Sequence, residues 1–201
     1  GCLLMLFAKP QNGGYMGKPL SEMTLEELWE LFPITLSPHR DCWKKWYNEE
    51  KDNLARVLPK EARISHIGST AVSGIWAKPI IDILVEIPKG ISMEEIEKIL
   101  TEYGYILMSG CENRKSFNKG YTENGFAEKV YHLHLRYFGD NNELYFRDYI
   151  NDNKDTAKEY EMLKLSLWKK YERNRDAYTA AKTGFIEKYT KIAKEKYGKR
   201  Y

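Results

Sequence analysis

Gly68-Ser69-Thr70 interrupts two apolar runs, and Lys78 follows it closely. A glycine at a strand-to-loop break lets a phosphate approach the backbone, while hydroxyls and nearby amides donate to its oxygens. A lysine beside the loop adds a cation. No Gly-Lys-Ser/Thr closes it, so it is not a Walker loop, and the glycine spacing of a dinucleotide fold is absent. Asp82 stands inside Ile80-Ile81-Asp82-Ile83-Leu84-Val85. A carboxylate in a buried strand costs several kcal/mol unless it is paired, hydrogen-bonded or bound to a metal. Something must meet Asp82. His132 and His134 alternate on another strand-like run, with Arg136 next along that face. Two such histidines hold one divalent ion, donate to phosphate, act as acid and base, or serve as hydrogen-bonded structure. His66 is expected toward the same cleft. Arg147 can fork onto phosphate or pair within the fold, as with Asp148. Lys182 lies in Ala180-Ala181-Lys182-Thr183-Gly184, read as a small-residue patch on a helix, from which it reaches a triphosphate or covers a strand end.

The elements that must carry these residues are marked by their punctuation. Residues 1–23, rich in Gly and Pro, read as a loop-like N-terminal arm. Thr24-Leu25-Glu26-Glu27 is a capping box for a short helix closed by Pro33. Ser37-Pro38 reads as a cap with proline at the first helical position, opening a helix to Pro59 with a Trp43, Trp46, Tyr47, Leu54 stripe. Ala62–Ile67 and Ile80–Val85 read as strands, the second entered through Pro79. Ser92-Met93-Glu94-Glu95 is a second capping box. Strands are expected at 105–108, 114–120 and 127–138, the last two joined by a hairpin at Asn124-Gly125. Helices are expected at 142–150, 155–171 and 176–197, the last stopped by Gly198. Strands alternate with helices, a hairpin follows, and helices end the chain. The pattern implies an α/β (α+β) fold in which helices pack a mixed sheet, as one domain over 24–201.

His66-Ile67-Gly68-Ser69-Thr70, Gly74 and Lys78-Pro79-Ile80-Ile81-Asp82-Ile83 together resemble the GrpB family, grouped with the polymerase-beta-like nucleotidyltransferases. His132-Leu133-His134, Phe146-Arg147-Asp148-Tyr149 and Ala181-Lys182-Thr183 extend the resemblance. It implies the nucleotidyltransferase fold, with nucleotide phosphates at Gly68-Ser69, the histidines opposite Asp82, and Asp82 as the first metal-binding carboxylate. The superfamily pattern wants a second acid two residues on, about 6.6 Å away on the same strand face. This chain has Leu84 there, and Glu86 lies roughly 13 Å from Asp82. The resemblance therefore implies one of two functions. The first is transfer of a nucleotidyl group from a nucleoside triphosphate to an acceptor, with Mg²⁺ or Mn²⁺ on Asp82, His132 and His134 and the phosphates on Gly68, Ser69, Thr70, Lys78, Arg147 and Lys182. The second is a non-catalytic module for a nucleotide or other small phosphorylated ligand, linked to coenzyme A through relatives fused to dephospho-coenzyme A kinase. Metal-dependent hydrolysis is a third reading.

With 201 residues, 42% hydrophobic, the chain is long enough to bury one good core. A net charge of +3 argues against a dedicated nucleic-acid binder, although residues 151–201 carry 14 Lys and Arg against 8 Asp and Glu. Cys2, Cys42 and Cys111 form no Cys-x-x-Cys pair and imply a reducing, cytoplasmic setting. The run from Cys2 to Ala8 is too short to span a bilayer, so no membrane association is expected.

Overall fold

The computed structural model describes residues 18–201 and the backbone of Leu3–Leu4. Its centre is a six-stranded mixed sheet in the order β1-β4-β5-β6-β3-β2. The strands are β1 (Leu3–Leu4), β2 (Arg63–Ile67), β3 (Ile81–Ile87), β4 (Ile106–Cys111), β5 (Arg114–Thr122) and β6 (Gly125–Tyr137). Only β3 and β6 run parallel; every other neighbouring pair is antiparallel. Most of the 1–23 arm lies outside the described residues.

The β3 run is apolar because it is central, and alternation sorts its two faces. Ile81, Ile83, Val85 and Ile87 join Tyr131, Leu133 and Leu135 of β6 in one core. That face is covered by α2 (Cys42–Val57), through Trp43, Tyr47 and Leu54, and by α3 (Met93–Glu102), through Met93, Ile96 and Leu100. Burying each such side chain contributes about 1.5–3 kcal/mol. Asp82, Leu84 and Glu86 face the other way. There α4 (Asn142–Asp152) sets Leu144 against Leu84 and Ile67. Behind it, α5 (Lys154–Tyr171) and α7 (Thr183–Tyr197) build a second core from Phe146, Ile150, Tyr160 and Tyr189. Helix α1 (Leu25–Leu31) opens on the complete Thr24/Glu27 capping box. No helix among the described residues is long and apolar enough to cross a membrane.

Three local expectations change. Ser37 does not cap α2; it forms a bridge with Ala77, and the helix starts at Cys42. Ser92 accepts from Glu94 N and Glu95 N, a cap without the reciprocal half of a box. The helix expected over 176–197 is two helices, α6 (Arg175–Ala180) and α7, with a turn at Ala181-Lys182 between them. Asn174 caps α6 by accepting from Ala177 N. The hairpin closes as Asn124-Gly125 suggests: Thr122 pairs with Gly125, and Glu123-Asn124 form the turn.

Candidate functional site

A cleft of about 280 Å³ opens on the Asp82 face, where the ends of β3 and β6 meet α5, α6 and the turn before α7. Gly68, Ser69, Thr70, Lys78, Asp82, His132, His134 and Lys182 all line it. Parallel pairing places Asp82 opposite His132 and Leu84 opposite His134, so the three polar side chains share one face. Asp82 Oδ1 lies 3.4 Å from His132 Nδ1 and 3.8 Å from His134 Nε2. Burial by itself would raise the Asp82 carboxyl, but the two imidazoles hold it well below the usual carboxylate range.

Donor count settles the proton on His132. Arg175 Nη1 can only donate, and it donates to Tyr121 Oη at 2.8 Å. Tyr121 keeps a proton of its own to give, and the ionised Asp82 carboxylate at Nδ1 can only accept. A neutral His132 therefore carries Nδ1–H toward Asp82 and accepts from Tyr121 at Nε2, 2.7 Å away. Burial lowers the His132 pKa, with Asp82 opposing, so the neutral ring fits this chain. The order is Arg175, Tyr121, His132, Asp82.

Gly68 has φ +72°, a left-handed conformation that favours glycine, and a methyl group there would overlap the Asp82 carboxylate. Asp82 thus occupies the space the glycine leaves. The two hydroxyls of the loop have different tasks. Thr70 is buried, donating to Ile80 O at 3.2 Å and meeting His66 Nε2 at 3.0 Å. Its hydroxyl is committed to the fold. Ser69 hydrogen-bonds Tyr160, whose hydroxyl burial pushes up to about 12.

Four cations surround this floor: Lys78, Lys164, Arg175 and Lys182. None forms an ion pair with a described carboxylate, and Asp82 is the one acid in the lining. Burial, then the charges of Lys182 and Arg175, holds Lys78 at about 7. Burial and Lys182 hold Lys164 at about 7, its ammonium against Trp76 O. Lys182 is lowered by burial to about 8. Tyr178, fully buried, lies between two of them, 5.4 Å from Lys78 Nζ and 4.3 Å from Lys182 Nζ at its ring centroid.

A family model described as GrpB protein matches residues 33–192. The chain belongs to the GrpB family. The glutamate-rich protein GrpB of Alkalihalophilus pseudofirmus is 37% identical over 164 residues, 77% of this chain and 92% of that protein. The UPF0157 protein YqkA of Bacillus subtilis is 28% identical over 179 residues, 85% of this chain but 51% of that longer one. The crystal structure of conserved protein GrpB from Enterococcus faecalis superposes with a TM-score of 0.69 at 29% identity, covering 81% of this chain and 99% of that one.

Two residues expected in the GrpB cleft lie elsewhere. Arg147 donates to Asp148 Oδ1 at 2.7–2.8 Å, to His66 O at 2.9 Å and to Tyr201 Oη at 2.9 Å. It braces α4 against β2 and the C-terminus and does not line the cleft. His66 pairs with Ile83 and so points to the α2 face, where it stacks on Tyr47 at 4.5 Å. Lys182 does reach the cleft, from the turn between α6 and α7 and not from mid-helix. Leu84, at the second carboxylate position, is fully buried. Among the described residues no three His, Cys, Asp or Glu side chains are grouped to hold a metal ion. The donors here do not fit a two-metal carboxylate set, and the Asp82 carboxylate faces imidazoles.

Lys164, Arg175 and Tyr121 were not singled out by sequence. Lys164 had a signal, since it and Glu161 sit on the buried stripe of α5 with Ala157 and Tyr160. Arg175 and Tyr121 had none.

Proposed function

We propose that this protein binds a small polyphosphorylated metabolite, with a nucleoside triphosphate or coenzyme A-type nucleotide as the leading class. The supporting observation is one cleft holding four cations against one carboxylate. Desolvated ammonium groups that repel one another favour an anion that restores their charge. Ser69 and the backbone at Gly68 border the same space and supply neutral donors. Arg175 brings a planar fork for phosphate, though two of its donors already serve Tyr121 and Phe32 O.

Nucleotidyl transfer is the second reading, favoured by the Asp82–His132 pair on the floor of the same cleft. An acceptor hydroxyl that displaces Tyr121 from His132 Nε2 would meet there a general base oriented by Asp82. The buried Leu84 weighs toward binding without transfer. In the resemblance, Mg²⁺ or Mn²⁺ supplies charge neutralisation at the phosphates, and here such an ion is proposed only as arriving with the ligand.

Thermal shift with tripolyphosphate, nucleoside triphosphates and coenzyme A, each with and without Mg²⁺, tests the reading. A ligand at a hundred times its Kd stabilises the fold by about 2.7 kcal/mol. Lys182→Met should abolish that shift while the free protein stays folded. No shift with any polyphosphate at millimolar concentration refutes the binding function.

A further inference from the structure

A second, smaller space of about 140 Å³ adjoins the cationic cleft, and Lys78, Ile80 and Arg175 line both. Strand β6 runs through the two. His134 and His132 face the cleft, and beyond an irregularity in the β5–β6 pairing Val130, Glu128, Ala127 and Phe126 line the neighbouring slot. The slot differs in character from the cleft. Its wall includes Trp46, Pro79, Val130 and Phe126, and Phe126 is 37% exposed. A cavity of about 150 Å³ is enough to hold a six-membered aromatic ring. Glu128 is the slot's one carboxylate and accepts hydrogen bonds without donating any.

We propose that the slot takes the ring of the ligand whose phosphates lie in the cleft. The chemical class is then a nucleotide: a flat nitrogen heterocycle with N–H groups on its edge, joined to a polyphosphate. The inference rests on the phosphate reading of the cleft and adds what the far end of the ligand must be. Lys78 and Arg175, standing in the shared wall, meet the phosphate nearest the sugar. Arg40, Lys78 and Arg175 also line the slot against the single acid Glu128, so the orientation of the ligand rests on the aromatic and apolar wall. Phe126 and Trp46 supply aromatic and apolar surface for the ring, contacts that tolerate any base and need no hydrogen-bond code.

The experiment compares tripolyphosphate with ATP by calorimetry on the wild type, Phe126→Ala and Ala127→Trp, and follows tryptophan emission during each titration. Ala127 lines the slot and is exposed, so the larger side chain obstructs the space without entering the core. ATP should bind at least tenfold tighter than tripolyphosphate to the wild type and should quench or shift emission where tripolyphosphate does not. Both variants should lose that tenfold advantage and keep tripolyphosphate affinity within a factor of two. Equal affinities for the two ligands, or an ATP advantage that survives both variants, overturns the slot and leaves the cleft reading intact. If Phe126→Ala weakens both ligands equally and Ala127→Trp neither, Phe126 only supports Tyr121 and the slot is likewise overturned. Absence of binding by either ligand overturns both readings.

Discussion

Glu86 and Asp82 stand on one face of β3, each opposite a basic or imidazole residue of β6, and they are treated in opposite ways. Glu86 is closed off: its carboxylate accepts from Asn141 Nδ2 at 3.0 Å and Gly139 N at 3.3 Å. Its cross-strand neighbour Arg136 donates to Lys115 O and Leu135 O and stands 3.8 Å from Asp140. Lys115 in turn meets Glu94 and Glu97, and Lys119 meets Glu50. At the Asp82 end, four cations line the cleft with one acid that is already occupied by imidazoles, and Glu161 acts on Lys164 from outside the lining. The sheet shows that this chain can match its charges where matching serves stability. An unmatched cluster two turns of the pleat away is what a fold keeps for a partner of the opposite sign.

The sharpest way to break this contrast is to place an acid on the boundary. Leu84→Asp buries a charge among Ile67 and Leu144, and should cost about 4 kcal/mol in a urea titration. A midpoint unchanged from the wild type would mean that water reaches the boundary despite the full burial of Leu84. Next in size is Glu86→Ala, which strands Asn141 Nδ2 and the Gly139 amide. It should cost about 2 kcal/mol and leave polyphosphate binding alone. Loss of binding in that variant would tie the two ends together.

Charge removal should then have opposite signs at the two ends. Lys115→Met leaves Glu94 and Glu97 without their cation and should destabilise by about 1 kcal/mol. Lys78→Met relieves repulsion and should stabilise the free protein by about 1 kcal/mol while cutting polyphosphate affinity at least tenfold. Paired melting curves decide it; the same sign in both removes the distinction.

The smallest effect is in the pH profile. Lys78 and Lys164 at about 7 and Lys182 at about 8 lie below the unfolded value of about 10.4. Between about pH 7 and 9.5 the unfolded chain therefore binds more protons, and stability rises with pH across that window. Above it buried tyrosines such as Tyr160, raised to about 12, act in reverse, because the folded state then holds the extra protons. Urea midpoints at pH 7 and 9 should increase, with a weaker slope in Lys78→Met. A polyanion should also draw protons onto the lysines, so binding at pH 8 should show proton uptake in buffers of different ionisation enthalpy.

Much of the floor was legible in the sequence because it is local. Asp82 stands out inside a β-branched run, His132 and His134 share a face by alternation, and Asn124-Gly125 marks the hairpin. The walls were legible only in part: Lys78 and Lys182 stand beside recognisable motifs, whereas Arg175 and Tyr121 gain their role from pairing across the chain. Arg147 misled because its neighbour Asp148 and the distant Tyr201 claim its donors first. Ser37-Pro38 carried a valid cap signal, but the bridge to Ala77 took that serine into another structure. The break at Ala181-Lys182 had a weak signal in Thr183-Gly184, overridden by the helical pattern of the residues that follow.

Helix α6 has a consequence in time. The loop, Asp82, both imidazoles and Tyr121 leave the ribosome between residues 68 and 134, whereas three of the four cations arrive at 164, 175 and 182. A chain made from its N-terminus can therefore assemble the sheet and its first core before most of the repelling charge is present. Arg175 then docks on Tyr121 and fixes the imidazole. Mutual repulsion is imposed last, on a scaffold already able to bear it, so a refolding full-length chain faces a harder task than a nascent one.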